Sequence, residues 1–164
     1  MPPPLIRLAS EQDLRAIDEI YNWYVPRSTC TYQEAIDPFE SRVAWFGRHG
    51  ERHPATVAEL DGRVVGWGSL SEFRDRSAYR FTCEDSVYVH HDHHGRGVGS
   101  TLLADLIERA RALGYHTIIA GADAEQTASV ALHRKFGFEP CAHVKQVGYK
   151  FERWLDVVFL QLML

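Results

Sequence analysis

Ser86-Val87-Tyr88-Val89-His90-His91-Asp92-His93-His94-Gly95-Arg96-Gly97-Val98-Gly99 is the stretch that decides the fold. Val87, Tyr88 and Val89 are β-branched or aromatic and read as the end of a strand. Behind the glycines, Val98, Leu102, Leu103, Leu106, Ile107, Ala110 and Leu113 make one apolar stripe at helical spacing, closed by Gly114. A strand that runs through a glycine-rich turn into an amphipathic helix offers free backbone N–H groups at the positive end of that helix. Such a junction suits a phosphate or diphosphate. Gly95, Gly97 and Gly99 remove Cβ atoms that would hold an anion away, and Arg96 is placed to pair with a phosphate oxygen. The spelling is not a P-loop, since no Lys-Ser or Lys-Thr follows, and GxGxG is not the dinucleotide fingerprint GxGxxG. A turn that only starts a helix fits the same letters.

Working outward, Leu5–Leu8 reads as a strand, and Ser10 with Asp13 has capping-box spacing before a helix over 11–24 that Pro26 stops. Residues 25–37 read as a loop and Pro38 to Arg48 as a second helix. Thr56–Leu60 and Arg63–Leu70 flank Asp61-Gly62 as a hairpin, and Tyr79–Val89 is a third extended stretch. After the glycine turn and its helix, His116–Ala120 is a buried-type strand. Asp123 and Gln126 precede a helix closed by Gly137, and Val144–Tyr149 and Trp154–Leu162 are the last strands. The order βα(α)βββαβαββ predicts an α/β protein with a mixed sheet and helices packed on it, a single domain over 1–164.

The 164 residues carry 18 basic and 22 acidic side chains, a net charge of −4, which excludes a sequence-independent nucleic-acid binder needing a basic surplus. Cys30, Cys83 and Cys141 are an odd, scattered set that predicts no disulfide framework. Met1-Pro2-Pro3-Pro4-Leu5-Ile6 lacks the basic start and apolar run of a leader, and no apolar run is long enough to span a bilayer. A cytoplasmic protein with no membrane partner is expected.

The motif His94-Gly95-Arg96-Gly97-Val98-Gly99 after Ser86-Val87-Tyr88-Val89 resembles the acetyl-CoA diphosphate loop of the GNAT superfamily of N-acetyltransferases, written Gln/Arg-x-x-Gly-x-Gly/Ala. Ile20-Tyr21-Asn22, Tyr79 through Val89, Ala131-Leu132-His133, Val147 through Phe151 and Arg153 through Val157 look like the phosphinothricin and methionine sulfoximine acetyltransferases within it. The resemblance implies the GNAT fold with its central strands splayed apart, and acetyl transfer from acetyl-CoA to the α-amine of a small amino acid analogue. It implies that the cofactor arm lies along Val87, Tyr88 and Val89, and that the diphosphate sits on amides from Gly95 to Ser100. A homodimer is also implied.

Glu84 matches the family carboxylate proposed as general base, while its position equally fits a strand-end glutamate paired with Arg80. His133 stands where a proton donor or sulfur-side orienter is expected; a histidine titrates in the useful range. Arg74 and Arg80 are candidates to hold a substrate carboxylate, because guanidinium forks match carboxylates. Tyr32 and Trp154 are candidate walls of the substrate pocket, or packing residues. Three positions depart from the pattern: His94 replaces Gln or Arg, Gln126 replaces the Asn that tends to bond the cofactor arm, and Glu152 replaces the Gly of the last turn. His90, His91, Asp92, His93 and His94 contain the donors for an adventitious transition ion, but no physiological metal site is expected, for lack of a second ligand pair. Rival readings are a peptide or protein N-terminal acetyltransferase and a non-catalytic CoA- or metal-binding module.

Overall fold

The computed structural model describes residues 3–164; Met1 and Pro2, which open the segment read as lacking a leader, lie outside the described residues. The strands are β1 (Leu5–Leu8), β2 (Ala55–Leu60), β3 (Arg63–Glu72), β4 (Thr82–Val89), β5 (Thr117–Asp123), β6 (Glu139–Lys150) and β7 (Arg153–Met163). The α-helices are α1 (Leu14–Tyr24), α2 (Phe39–Gly47), α3 (Val98–Ala112) and α4 (Thr127–Lys135). One seven-stranded sheet runs in the order β1-β2-β3-β4-β5-β7-β6. Every neighbouring pair is antiparallel except β4 with β5.

The pleat of β4 sorts its side chains between two layers. Cys83 and Val87 face the core formed by Leu103, Leu106, Ala110, Ile118, Phe138 and Leu160, where α3 and α4 lie. Tyr88 faces the other core, where Leu14, Ile17 and Ile20 of α1 pack on Val57 and Trp67. Arg42 ties α2 to α1: its guanidinium bonds Asp18 at 3.3 Å and lies over the Tyr21 ring at 4.7 Å. The start of α1 is fixed by Asp13, which accepts from Ser10 N–H at 2.8 Å and from both terminal nitrogens of Arg7 at 2.8 Å.

Boundaries differ from the sequence expectation at four main places: β5 runs on past Ala120 to Asp123 in register with β7, and the other three have local reasons. Glu11–Asp13 forms a 3-10 turn ahead of α1, and Ser77–Tyr79 forms another, so β4 begins at Thr82 rather than Tyr79. β6 starts at Glu139, five residues before Val144. Pro140 is tolerated because β6 is an edge strand, and register shifts between Pro140 and Ala142 and between Val144 and Gly148 hide the alternation. No helix of the described residues is long and apolar enough to cross a membrane.

The Glu152 departure leaves the last hairpin in place. Lys150 pairs with Arg153 across a two-residue turn, and both turn residues take positive φ, Phe151 at 53° and Glu152 at 58°. A turn with two positive φ values favours glycine, because a Cβ crowds the backbone there. Glu152→Gly should therefore raise the unfolding free energy by about 1 kcal/mol, read as a higher urea midpoint at unchanged m-value.

Candidate active site

β4 and β5 pair only through Thr82–Thr117, Cys83–Ile118 and Glu84–Ile119. Beyond that point the strands diverge, and a cleft of about 420 Å³ opens between them. Ser86–Val89 line one side and Gly121–Asp123 the other; the glycine turn and the first turn of α3 close one end, and Ala128, Ser129 and Leu132 of α4 flank it. The edge of β4 past Glu84 has no strand partner here, so its backbone is available to an extended ligand.

Gly95 and Gly97 adopt φ of +71° and +80°, and nothing stands within 4 Å of where their Cβ atoms would be. Gly97 is the residue before α3 and supplies no side-chain cap. The first amides of α3 therefore lack an internal acceptor and point at open space, a cradle that fits a diphosphate. Lys135 reaches the same turn, donating to Ser100 Oγ at 3.4 Å, and Arg96 is exposed beside it. His94 Nε2 lies 2.6 Å from the Tyr24 hydroxyl, which in turn donates to the carbonyl of Val89. The departure at His94 thus pins the glycine turn to α1 and to the end of β4. The Tyr24 hydroxyl occupies the Val89 carbonyl and the Tyr88 backbone faces β3, so of the three residues expected along the cofactor arm Val87 keeps both backbone groups turned to the cleft.

Glu84 and Asp85 are neighbours that the pleat sends to opposite faces. Glu84 lies beside Gly121 at the point where the strands part. Burial raises its pKa, and the charge of Asp85 raises it further. Asp85 faces α4, where its Oδ2 lies 2.8 Å from His133 Nε2, and His133 Nδ1 lies 2.8 Å from the Ser129 carbonyl. Burial favours the neutral imidazole, but the Asp85 hydrogen bond and charge together with the Ser129 carbonyl outweigh it and hold the His133 pKa above its ordinary value. Both ring nitrogens are engaged by the protein, so His133 presents no free proton to the cleft, unlike the donor expected from the sequence.

Residues 28–33 bridge the mouth of the cleft. Tyr88 of β4 donates to the Cys30 carbonyl at 3.1 Å, and Gln126 Nε2, at the head of α4, lies 3.0 Å from Thr29 Oγ1. Gln126 is thereby tied to this strap through its amide nitrogen while it still lines the cleft. Tyr32 donates to Asp123 of β5 at 2.7 Å, and its ring fills the space where a Cβ on Gly148 would come within 2.4 Å. Lys150, 1% exposed, donates to the carbonyls of Ser28 at 2.8 Å and Thr31 at 2.7 Å. Tyr32 is thus a structural tie as well as a wall. Arg74, Arg80 and Trp154 are not brought into the cleft. Arg80 lies over the Phe81 ring and Arg74 over Phe73, both exposed and with no acidic partner among the described residues. Trp154 is 62% exposed and packs edge-on against Tyr149.

The model of the acetyltransferase (GNAT) family matches residues 17–138. The chain belongs to the GNAT family. It is 41% identical over 160 residues to the L-methionine sulfoximine/L-methionine sulfone acetyltransferase of Salmonella typhimurium, covering 97% of this chain and 94% of that one. Among solved structures it is similar to a GNAT phosphinothricin acetyltransferase from Sinorhizobium meliloti in complex with acetyl-CoA, with a TM-score of 0.95, 38% identity and coverage of 99% and 89% of the two chains. It is similar also to a ribosomal-protein-alanine N-acetyltransferase from Brucella melitensis, with a TM-score of 0.94, 46% identity and coverage of 98% and 99%.

Within this GNAT chain, sequence reasoning missed Tyr24, Asp85, Lys135 and Lys150. Tyr24 sits in the apolar stripe of α1 and reads as core, and Lys150 ends an edge strand, where lysine is usually solvated. Asp85 carried a signal: next to Glu84, the pleat must send one carboxylate to each face.

Two outcomes test this geometry. His133 should titrate above the ordinary imidazole range in NMR and lower in Asp85→Asn, where only the Ser129 carbonyl still opposes burial. With a raised folded-state pKa, its contribution to stability is complete below the unfolded value and is lost as pH rises through the folded one. Lys150→Met leaves the Ser28 and Thr31 carbonyls without a donor and should cost about 1–3 kcal/mol per carbonyl left buried, measured by urea denaturation.

Proposed function

We propose that this chain is a single acetyltransferase domain over 1–164 that transfers acetyl from acetyl-CoA directly to the α-amine of a small amino acid analogue of the methionine sulfoximine, methionine sulfone or phosphinothricin type. The split between β4 and β5, with an uncapped glycine cradle at one end and a carboxylate at the other, is the observation that carries it. The likeness to the methionine sulfoximine/sulfone acetyltransferase supports the substrate class.

Acetyl-CoA supplies an acetyl group activated as a thioester. The amides of Gly95 to Ser100, with Arg96 and Lys135, hold its diphosphate, and the unpartnered edge at Val87 aligns its arm. Glu84 takes the proton from the substrate ammonium, directly or through a water. A pKa raised by burial brings it closer to the operating pH, where a general base works best. His133 acts as a brace: with Asp85 it holds α4 against β4. Tyr32, at the mouth of the cleft, walls the substrate side chain, whereas Arg74, Arg80 and Trp154 stand outside the cleft and have no role in it. Two copies of the chain associate in the cytoplasm through the exposed apolar residues of the last hairpin, among them Val147, Tyr149, Phe151 and Trp154.

Thiol release from acetyl-CoA, assayed with methionine sulfoximine, methionine sulfone, phosphinothricin, plain amino acids and short peptides, tests the reading. Turnover confined to the first three is expected. Turnover with peptides alone would favour the N-terminal acetyltransferase, a reading that the likeness to the ribosomal-protein-alanine enzyme keeps in view. Glu84→Gln should lower kcat by about 10²–10⁴-fold while acetyl-CoA binding stays unchanged in calorimetry. In the parent, kcat/KM should fall as pH drops through the raised Glu84 pKa, because the base is then protonated.

A further inference from the structure

The turn between β4 and the glycine cradle gathers donors that the acetyltransferase chemistry does not use. One ligand atom from each of His90, His91 and Asp92 falls within 4.8 Å of the others. His91 Nε2 stands 3.6 Å from Asp92 Oδ1. Two ligands about 2.1 Å from a tetrahedral zinc ion lie about 3.4 Å apart, so this pair is already near the spacing that a shared ion imposes. The rings are held rather than floating. His91 is stacked between Trp23, at 4.2 Å and 6°, and His90, at 4.3 Å and 21°. Trp23 belongs to α1, so a rigid element holds His91, and the near-parallel His90 ring turns out of the stack for the in-plane lone pairs of both rings to meet one ion. A third histidine adds an independent observation: His93 Nδ1 is buried with no hydrogen-bond partner among the described residues, and its ring lies 5.4 Å from His90.

We propose that His90, His91 and Asp92 form a binding site for a borderline divalent ion of the zinc type, and that the ion primes the adjoining glycine turn for acetyl-CoA. Two imidazoles and one carboxylate are the donor set such an ion takes, with water at the remaining position. Asp92 is 73% exposed, which opens the site to solvent. Entry replaces one exposed hydrogen bond, from Asp92 N–H to His90 Nδ1 at 3.2 Å. That bond is lost whichever ring nitrogen takes the ion, because a ring bound through Nε2 carries its proton on Nδ1 and no longer accepts there. The priming half rests on the acetyltransferase reading. The doubly charged ion lies two residues from His94, which anchors the cradle, and adds positive charge beside the site of the diphosphate. Coupling between two ligands is reciprocal, so acetyl-CoA must tighten the ion by the same factor.

Calorimetric titration of the untagged protein with zinc chloride and nickel chloride tests the site. One ion per chain is expected, with affinity reduced at least tenfold in each of His90→Ala, His91→Ala and Asp92→Asn, while the parent melting temperature is retained in chelator. His143→Ala, which removes a different histidine–carboxylate pair, should leave the affinity unchanged. Affinity weaker than millimolar, or equal affinity in the parent and all three variants, would overturn the site. Acetyl-CoA affinity should rise about fivefold with zinc in the parent and stay constant in His91→Ala. An ion that binds without changing acetyl-CoA affinity would overturn the priming. Failure of the metal-free parent to bind acetyl-CoA would instead count against the acetyltransferase reading.

Discussion

The parting of β4 from β5 after Glu84–Ile119 is the constraint on which the rest of the molecule depends. A sheet that stops pairing in its middle leaves backbone donors and acceptors exposed, and nothing in β4 or β5 alone keeps the gap at a fixed width. The strap at residues 28–33 does so, because it is bonded to both arms: to Tyr88 on one, and to Asp123, Gln126 and Lys150 on the other. Lys150 has no carboxylate partner in this contact. An ammonium is costly to bury, and burial pulls its pKa down. Its protons are satisfied by carbonyls that a loop would otherwise leave without donors, so the charge and the loop depend on each other.

Much of this was legible in the sequence, and what was not has identifiable causes. The glycine cradle was readable because Gly95, Gly97 and Gly99 stand between a β-branched run and a strong apolar stripe, a pattern with few structural solutions. The hairpin at Asp61-Gly62 and the cap of α1 at Ser10 and Asp13 were readable for the same local reason. The start of β6 was hidden by Pro140 and by two register shifts, features that an edge strand tolerates and periodicity does not reveal. The strap was hidden more deeply. Its contacts join residues up to 124 apart in sequence, as between Tyr32 and Asp156, and no local pattern encodes such a pairing.

The three departures from the family pattern resolve differently once geometry is considered. His94 exchanges an outward side-chain contact for an inward one, through Tyr24 to Val89. Gln126, with one more methylene than asparagine, reaches the hydroxyls of the strap. Glu152 keeps its turn at the cost of a left-handed backbone. Two of the three thus add ties around the cleft, and the third lies outside it.

The arrangement of Glu84, Asp85 and His133 also limits which group handles which proton. If His133 gave up its shared proton during each turnover, Asp85 would keep a buried charge whose second oxygen already has no partner among the described residues. A buried carboxylate without a counter-charge is strongly unfavourable, so that loss would be opposed at every cycle. Retaining the proton avoids this cost. An anionic Asp85 in turn holds the pKa of Glu84 up from the opposite face of the strand. The pair therefore fixes α4 beside the cleft and sets a charge next to Glu84 that raises its pKa.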